Sequence, residues 1–222
     1  LLGIGLIASA AGALNHLLER HLDSQMARTE RRPLPQGKIS SLHVLLFSIT
    51  AGLSGLSLLS LFTNAVTGFL SLISLIGYAC FYTLYLKHHT PQNIVIGGLA
   101  GAMPPLLGWT AISGNIDPGG LILVLIIFIW TPPHFWSLAI ARHADYAKSN
   151  LPMLTVTHGI AFTKQQILLY TLLLSGISLL PFSIGISGLF YLFSALLLNC
   201  GFIVAVANLL KQTKTAAAIK TF

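Results

Sequence analysis

Charge is what this sequence has least of. Only 8% of its 222 residues are Asp, Glu, Lys or Arg, where a soluble domain carries about a quarter. A surface so poor in charge does not stay dissolved, which excludes an ordinary water-soluble globule. Disorder needs high charge and low hydrophobicity, and 55% of these residues are hydrophobic, so disorder is excluded too. Cysteine is nearly absent. Cys80 and Cys200 each sit within an apolar run, with neither metal-binding spacing nor a disulfide framework. Acids number five against twelve Lys and Arg, a formal charge of +7. That excess suits an anionic lipid surface or an anionic substrate; nucleic acid is excluded, since no basic stripe lies on a soluble segment.

What the chain does have is apolar length. Mean hydropathy is +0.82, and seven stretches are long enough to cross a bilayer, near 1–18, 42–62, 66–86, 93–113, 119–141, 164–184 and 187–210. Length predicts helices, because barrel strands would alternate polar and apolar residues over much shorter segments. The expected fold is all-α, a polytopic transmembrane helix bundle forming one domain over 1–222. The chain opens Leu-Leu-Gly, partway into a hydrophobic span, and so reads as a piece of a longer protein. The basic residues fix the topology. Connections near 63–65, 114–118 and 185–186 carry none. Arg20, Arg28, Arg31, Arg32 and Lys38 follow the first stretch, and Lys87 the third. Arg142, Lys148 and Lys164 follow the fifth, and Lys211, Lys214 and Lys220 the seventh. All twelve thus fall on one side, the cytoplasmic face or an organelle's matrix face. Glu19, Asp23, Glu30 and Asp145 lie on that side as well, in the two long connections, while Asp117 occupies a turn opposite.

Asn15, Glu19 and Asp23 are spaced four apart. Two such steps rotate a helix by about 80° and rise about 12 Å, so a helix continuing through Asp23 puts three oxygen-bearing side chains on one face. A hydrophilic helix end explains any one of them. Three in register, in a chain with five acids, favour a site, and the donor chemistry suits Mg²⁺ bridging to substrate phosphates. Arg28, Arg31, Arg32 and Lys38 follow, in a loop stiffened by Pro33, Pro35 and Gly37. Two readings stand together: an anchor for lipid headgroups and a cradle for a diphosphate.

At this point a resemblance enters. The run Asn-His-Leu-Leu-Glu-Arg-His-Leu-Asp-Ser-Gln-Met-Ala-Arg-Thr-Glu-Arg-Arg-Pro-Leu-Pro-Gln-Gly-Lys-Ile-Ser (15–40) resembles the first signature of the UbiA-type intramembrane prenyltransferases. The branch it is most similar to farnesylates haem B. Tyr82 to Gly98, Gly101-Ala-Met-Pro-Pro-Leu-Leu-Gly-Trp109, Trp130-Thr-Pro-Pro-His-Phe-Trp-Ser-Leu-Ala139, Asp145-Tyr146 and Leu151-Pro-Met-Leu154 match in order over essentially the whole chain. The resemblance implies nine membrane helices, the first and last lying outside this chain. It implies that the farnesyl group of farnesyl diphosphate is joined to a vinyl group of haem B, giving haem O and diphosphate with Mg²⁺. By position, Asn15, Glu19 and Asp23 match the first metal–diphosphate motif, Asp145 the second, and Lys87 the basic position that meets the diphosphate. Three departures stand out. Glu19 replaces the usual Asp and His21 another common Asp, and Asp145 is a lone acid flanked by Arg142 and Lys148, to which part of its electrostatic duty is assigned. The implied partners are farnesyl diphosphate, haem B and membrane lipid, with haem A synthase or terminal oxidase assembly downstream.

The same reaction gives roles to aromatic and imidazole groups. Phe81, Tyr82 and Tyr85 offer faces to a cationic farnesyl chain. His134 lies deep in the fifth stretch after Pro132 and Pro133. It suits a haem ligand, with Trp130 and Trp136 lining a porphyrin slot, and it equally suits a cap on a carbonyl freed by proline. His16 and His21 belong to the mouth of the site. Two rival functions remain: a relative acting on an aromatic quinone precursor, and a transporter.

Overall fold

The protein is described here from a computed structural model covering residues 1–25, 29–86, 89–148, 152–212 and 218, and all regular structure among them is helical. Six helical spans are long and apolar enough to cross a membrane: Ser41–Phe62, Ala65–Leu86, Asn93–Ser113, Pro118–Ala141, Gly159–Ser183 and Leu189–Lys211. A shorter apolar helix, Leu2–Leu18, precedes them. Large apolar side chains such as Leu53, Leu61, Phe69, Phe190, Phe193 and Leu197 stand exposed along these helices, as a lipid-facing exterior requires. The seven expected stretches are therefore all present. One boundary differs: the span expected from 164 begins at Gly159. Gly159 at φ 81° lets a short preceding helix turn straight into it. Lys164 therefore lies on the helix and not in a connection, and its Nζ donates to the Gln212 carbonyl at the end of a neighbouring helix.

Contacts group the chain into two compact units, and the first comprises Leu1–His89 and Met103–Ile116. Its helices are α1 (Leu2–Leu18), α2 (Arg20–Gln25), α3 (Ser41–Phe62) and α4 (Ala65–Ile76), which runs on as a π-helical stretch over Gly77–Leu86, and α6 (Pro104–Ser113). Helix α1 packs along α3 at glycine: a Cβ on Gly55 would lie 2.7 Å from the Gly3 carbonyl oxygen and 2.8 Å from Ile7 Cγ1. Small residues permit that approach where lipid supplies no hydrophobic force between helices. Ser48 Oγ adds a cross-helix bond to the Ala10 carbonyl at 2.8 Å. Asn64 caps α4, its Oδ1 accepting from Thr67 N–H at 2.9 Å, and its Nδ2 donates to the Thr110 carbonyl of α6 at 2.7 Å. These bonds tie α1 to α3 and α4 to α6, and α1 also packs against α4 and its π-helical continuation, which sets the stage for the site.

The second unit comprises Thr90–Ala102 and Asp117–Phe222. It contains α5 (Asn93–Ala102), α7 (Pro118–Ala141), α8 (His143–Lys148), α9 (Leu154–Thr157), α10 (Gly159–Ile177), α11 (Leu180–Ser183) and α12 (Leu189–Lys211). Helix α7 is its centre, packed against α5 and α10. Pro132 and Pro133 sit inside α7 and are buried, so two backbone donors are missing there. The Ser137 hydroxyl donates to the Pro133 carbonyl at 2.7 Å within the same stretch. Helix α10 ends before Pro181, and its freed groups find partners on α12: Tyr191 Oη donates to the Ser178 carbonyl at 2.7 Å and Asn199 Nδ2 to Ser178 Oγ at 2.8 Å.

Candidate active site

Helix α1 ends at Leu18 and α2 begins at Arg20, so Glu19 interrupts the helix expected to run through Asp23. The hydrogen-bond register nevertheless survives. Glu19 N–H donates to the Asn15 carbonyl and Asp23 N–H to the Glu19 carbonyl, both at 2.9 Å. The fourfold spacing therefore places the three side chains on one inward face. Asn15, Glu19 and Asp23 are 9%, 6% and 3% exposed, whereas Arg20 and His21 between them are exposed. Buried carboxylates demand compensation.

Compensation arrives from the following loop. Thr29 Oγ1 donates to the Asp23 carbonyl at 2.9 Å, and Arg32 N–H donates to the Thr29 carbonyl at 3.0 Å. That turn brings the Arg32 guanidinium back onto Asp23, Nη1 to Oδ2 at 2.7 Å. Gly37 at φ 68° closes a second turn, in which Lys38 N–H bonds to the Pro33 carbonyl. Arg31, Lys38 and Glu30 of this loop remain exposed. Arg28 lies outside the described residues. His16 lies within electrostatic range of Arg32, Asp23 and Glu19.

The other wall of the site is the π-helical stretch. Asn15 Nδ2 donates to Thr83 Oγ1 at 3.1 Å, and Thr83 Oγ1 donates to the Tyr78 carbonyl, five residues back, at 2.9 Å. Tyr78 lies within electrostatic range of Glu19 and Arg32 and stacks on Tyr82, ring centroids 5.6 Å apart. Tyr82 is half-buried, while Phe81 and Tyr85 are exposed and stack on each other at 6.0 Å. Lys87 lies outside the described residues. Sequence reasoning missed Tyr78 and Thr83. The only available signal was a hydroxyl and a phenol within an otherwise apolar span facing a polar helix end.

In the second unit, Asp145 is exposed on the first turn of α8, anchored by its N–H on the Arg142 carbonyl at 3.1 Å. Arg142 and Lys148 are exposed as well, and buried Tyr146 pins the short helix down. His134 is half-buried on α7 and stacks on Trp130 at 4.1 Å and 21°. Trp136 has a different surrounding: it is fully buried and meets Tyr170 of α10 edge-on at 5.4 Å. The first unit thus brings together Asn15, Glu19, Asp23 and Arg32, and the second brings together Trp130 and His134.

The arrangement offers hard oxygen donors beside a guanidinium. Among the described residues no three His, Cys, Asp or Glu side chains are grouped to hold a metal ion by themselves. Two carboxylates and an amide oxygen match instead a cation that keeps waters and shares phosphate oxygens with a substrate, the habit of Mg²⁺. The donor set fits that ion.

Known proteins resemble this chain over its whole length. The family model for the UbiA prenyltransferase family matches residues 1–222. Protoheme IX farnesyltransferase of Legionella pneumophila (strain Paris) is 57% identical over 222 residues, covering 100% of this chain and 76% of the relative. The protein of that name from Vibrio vulnificus (strain CMCP6) is 54% identical over 222 residues, covering 100% of this chain and 74% of its own length. That of Teredinibacter turnerae (strain ATCC 39867 / T7901) is 55% identical over 221 residues, covering 100% and 71%. A solved structure from work on the biosynthesis of digeranylgeranylglyceryl phosphate synthase in membranes shares the fold. It superposes with a TM-score of 0.80 at 24% identity, over 97% of this chain and 75% of that one.

Proposed function

The chain belongs to the UbiA prenyltransferase family, and we propose that it transfers the farnesyl group of farnesyl diphosphate to a vinyl group of haem B, with water then adding to the resulting cation, giving haem O and diphosphate. The observation that carries this reading is the buried Asn15–Glu19–Asp23 face with Arg32 seated on it. It occurs in a multi-pass integral membrane protein at least 54% identical, over its whole length, to relatives named for that reaction.

Allylic diphosphate departure builds negative charge on the leaving group and positive charge on the farnesyl chain. Asn15, Glu19 and Asp23 would hold Mg²⁺ through oxygen. When bound, the ion supplies Lewis-acid stabilisation of the departing diphosphate. Arg32 already sits beside Asp23, and its guanidinium fork, with Arg31 and Lys38 of the same loop, meets phosphate oxygens. Arg28 and Lys87 are assigned the same duty from the sequence pattern. So are Arg142 and Lys148, exposed at the end of α7 and on α8, while Asp145, exposed on α8, is assigned to the metal from that pattern. Tyr82, with Phe81 and Tyr85, offers ring faces to the cationic chain. His134, stacked on Trp130, is the group we assign to haem contact. A neutral vinyl carbon needs no strong base to attack, and water exclusion by the apolar helices protects the cation until it does. The one-sided placement of the bases supports a reaction at the cytoplasmic face, or the matrix face in an organelle.

The test is an acceptor comparison. Membranes carrying the protein are supplied with farnesyl diphosphate, Mg²⁺ and either haem B or 4-hydroxybenzoate. Conversion of haem B to haem O is the expected result; prenylation of the aromatic acid alone overturns the acceptor assignment.

A further inference from the structure

Asn15 is an ambiguous ligand by itself. Its amide presents an oxygen to one side and an NH₂ to the other, and only the oxygen attracts a cation. Which atom faces the site is therefore a functional question. The neighbouring hydroxyl decides it. Thr83 Oγ1 has a single proton, and that proton is committed to the Tyr78 carbonyl at 2.9 Å. Toward Asn15 the hydroxyl can only accept, at 3.1 Å, so the atom facing it must be Nδ2. A flipped amide would set two acceptors against each other at a position where Thr83 is 2% exposed and closed to bulk solvent.

The backbone is part of the device. In an α-helix a threonine hydroxyl bonds to a carbonyl three or four residues back. Here the partner is five back, because Gly77–Leu86 is wound as a π-helix, and such turns are frequent at functional sites.

We infer that Thr83 is a positioning residue for cation binding: by spending its proton on Tyr78 it locks the Asn15 amide with Oδ1 as the atom offered to the metal. This rests on the reading of Asn15 as a cation ligand, and the test separates the two. The full-length protein in lipid nanodiscs is titrated with Mn²⁺, the free ion being read by electron paramagnetic resonance, and its melting temperature is recorded alongside. Thr83→Val keeps the shape and removes the hydroxyl. It is expected to weaken Mn²⁺ binding about tenfold, the low end of what losing a group that orients a metal ligand costs. Thr83→Ser, which keeps the hydroxyl, stays at the wild-type affinity. The decisive variant is Asn15→Asp combined with Thr83→Val. A carboxylate offers oxygen in either orientation, so this pair regains the affinity of Asn15→Asp alone. Unchanged Mn²⁺ affinity in Thr83→Val overturns the inference. So does a loss that Asn15→Asp does not repair and that follows the melting temperature, since packing alone then explains it. Wild-type affinity in Asn15→Ala instead removes Asn15 from the ligand set. Should Thr83→Val fail to fold, Thr83→Ala reads the same loss.

Discussion

Replacing Arg32 with Met should change metal binding and catalysis in opposite directions. The Asp23 side chain is 5% exposed, and its only ion-pair partner among the described residues is Arg32, Nη1 to Oδ2 at 2.7 Å, itself 32% exposed. Breaking a fully buried pair costs about 3–5 kcal/mol because one charge is left uncompensated. A pair whose base is a third exposed is screened by water, which moves the cost toward the figure of under about 1 kcal/mol for surface pairs. A loss of about 2 kcal/mol of stability lies between these limits. The same reasoning reverses for a cation. Arg32 and Mg²⁺ both draw on the Asp23 carboxylate, so removing the guanidinium removes a competitor. If about half of the lost stabilisation returns when a metal takes over, substrate-free Mn²⁺ affinity rises about fivefold. Farnesyl transfer should fall even so, because the fork that meets the diphosphate is gone. The assays are a Mn²⁺ titration without diphosphate, melting with and without Mg²⁺, and haem O formation. Weaker or unchanged Mn²⁺ binding in the variant refutes the reasoning, since Arg32 would then not be balancing the charge that the cation needs.

Other consequences are simpler. Asp23→Asn should abolish Mg²⁺-dependent turnover while leaving the melting temperature close to wild type, because it is the buried charge and not the base that is removed; full activity would exclude Asp23 from metal binding. Gly55→Ala drives a methyl into the Gly3 carbonyl at 2.7 Å and should destabilise by about 1–3 kcal/mol, whereas Gly12→Ala meets nothing within 4 Å and should be neutral in the same melting assay. His134→Ala should weaken haem binding and shift the Soret band in a haem titration; an unchanged spectrum and affinity would remove His134 from the contact set. Trp136→Phe should retain haem binding, because the indole is packed on Tyr170 and its Nε1 makes no hydrogen bond in the structure.

How much of this was legible in the sequence depends on which forces are uniform along the chain. A bilayer requires apolar length and internal backbone bonding everywhere, so spans can be read from length alone. The misplaced start at Gly159 shows where that reading stops. Lys164 looked like a connection residue, but a lysine on a helix can carry its Nζ to a polar partner, here the Gln212 carbonyl. The fourfold spacing of Asn15, Glu19 and Asp23 was legible for a similar reason: the break at Glu19 disturbs the helix but leaves the i to i−4 bonds in register. Nothing comparable separates Arg31 from Arg32. The two are adjacent and chemically identical, and only the turn built on Thr29 selects Arg32 for Asp23 and leaves Arg31 in the open.

Thr83 marks a deeper limit, because its role depends on a change of helical register that leaves no compositional trace. The segment Gly-Tyr-Ala-Cys-Phe-Tyr-Thr-Leu-Tyr-Leu reads as ordinary apolar helix, and α-helical periodicity would give Thr83 a carbonyl three or four residues back. The π winding gives it the Tyr78 carbonyl instead, and with that the hydroxyl becomes an acceptor toward Asn15. The same winding places Tyr78 where it senses Glu19 and Arg32. One altered register thus supplies both wall residues that the sequence did not announce. The motif that is visible in one dimension, Asn15 to Asp23, is incomplete without the helix that orients it. In a chain this poor in polar groups, each buried donor has few alternatives, so a single hydroxyl proton is enough to fix the orientation of an amide.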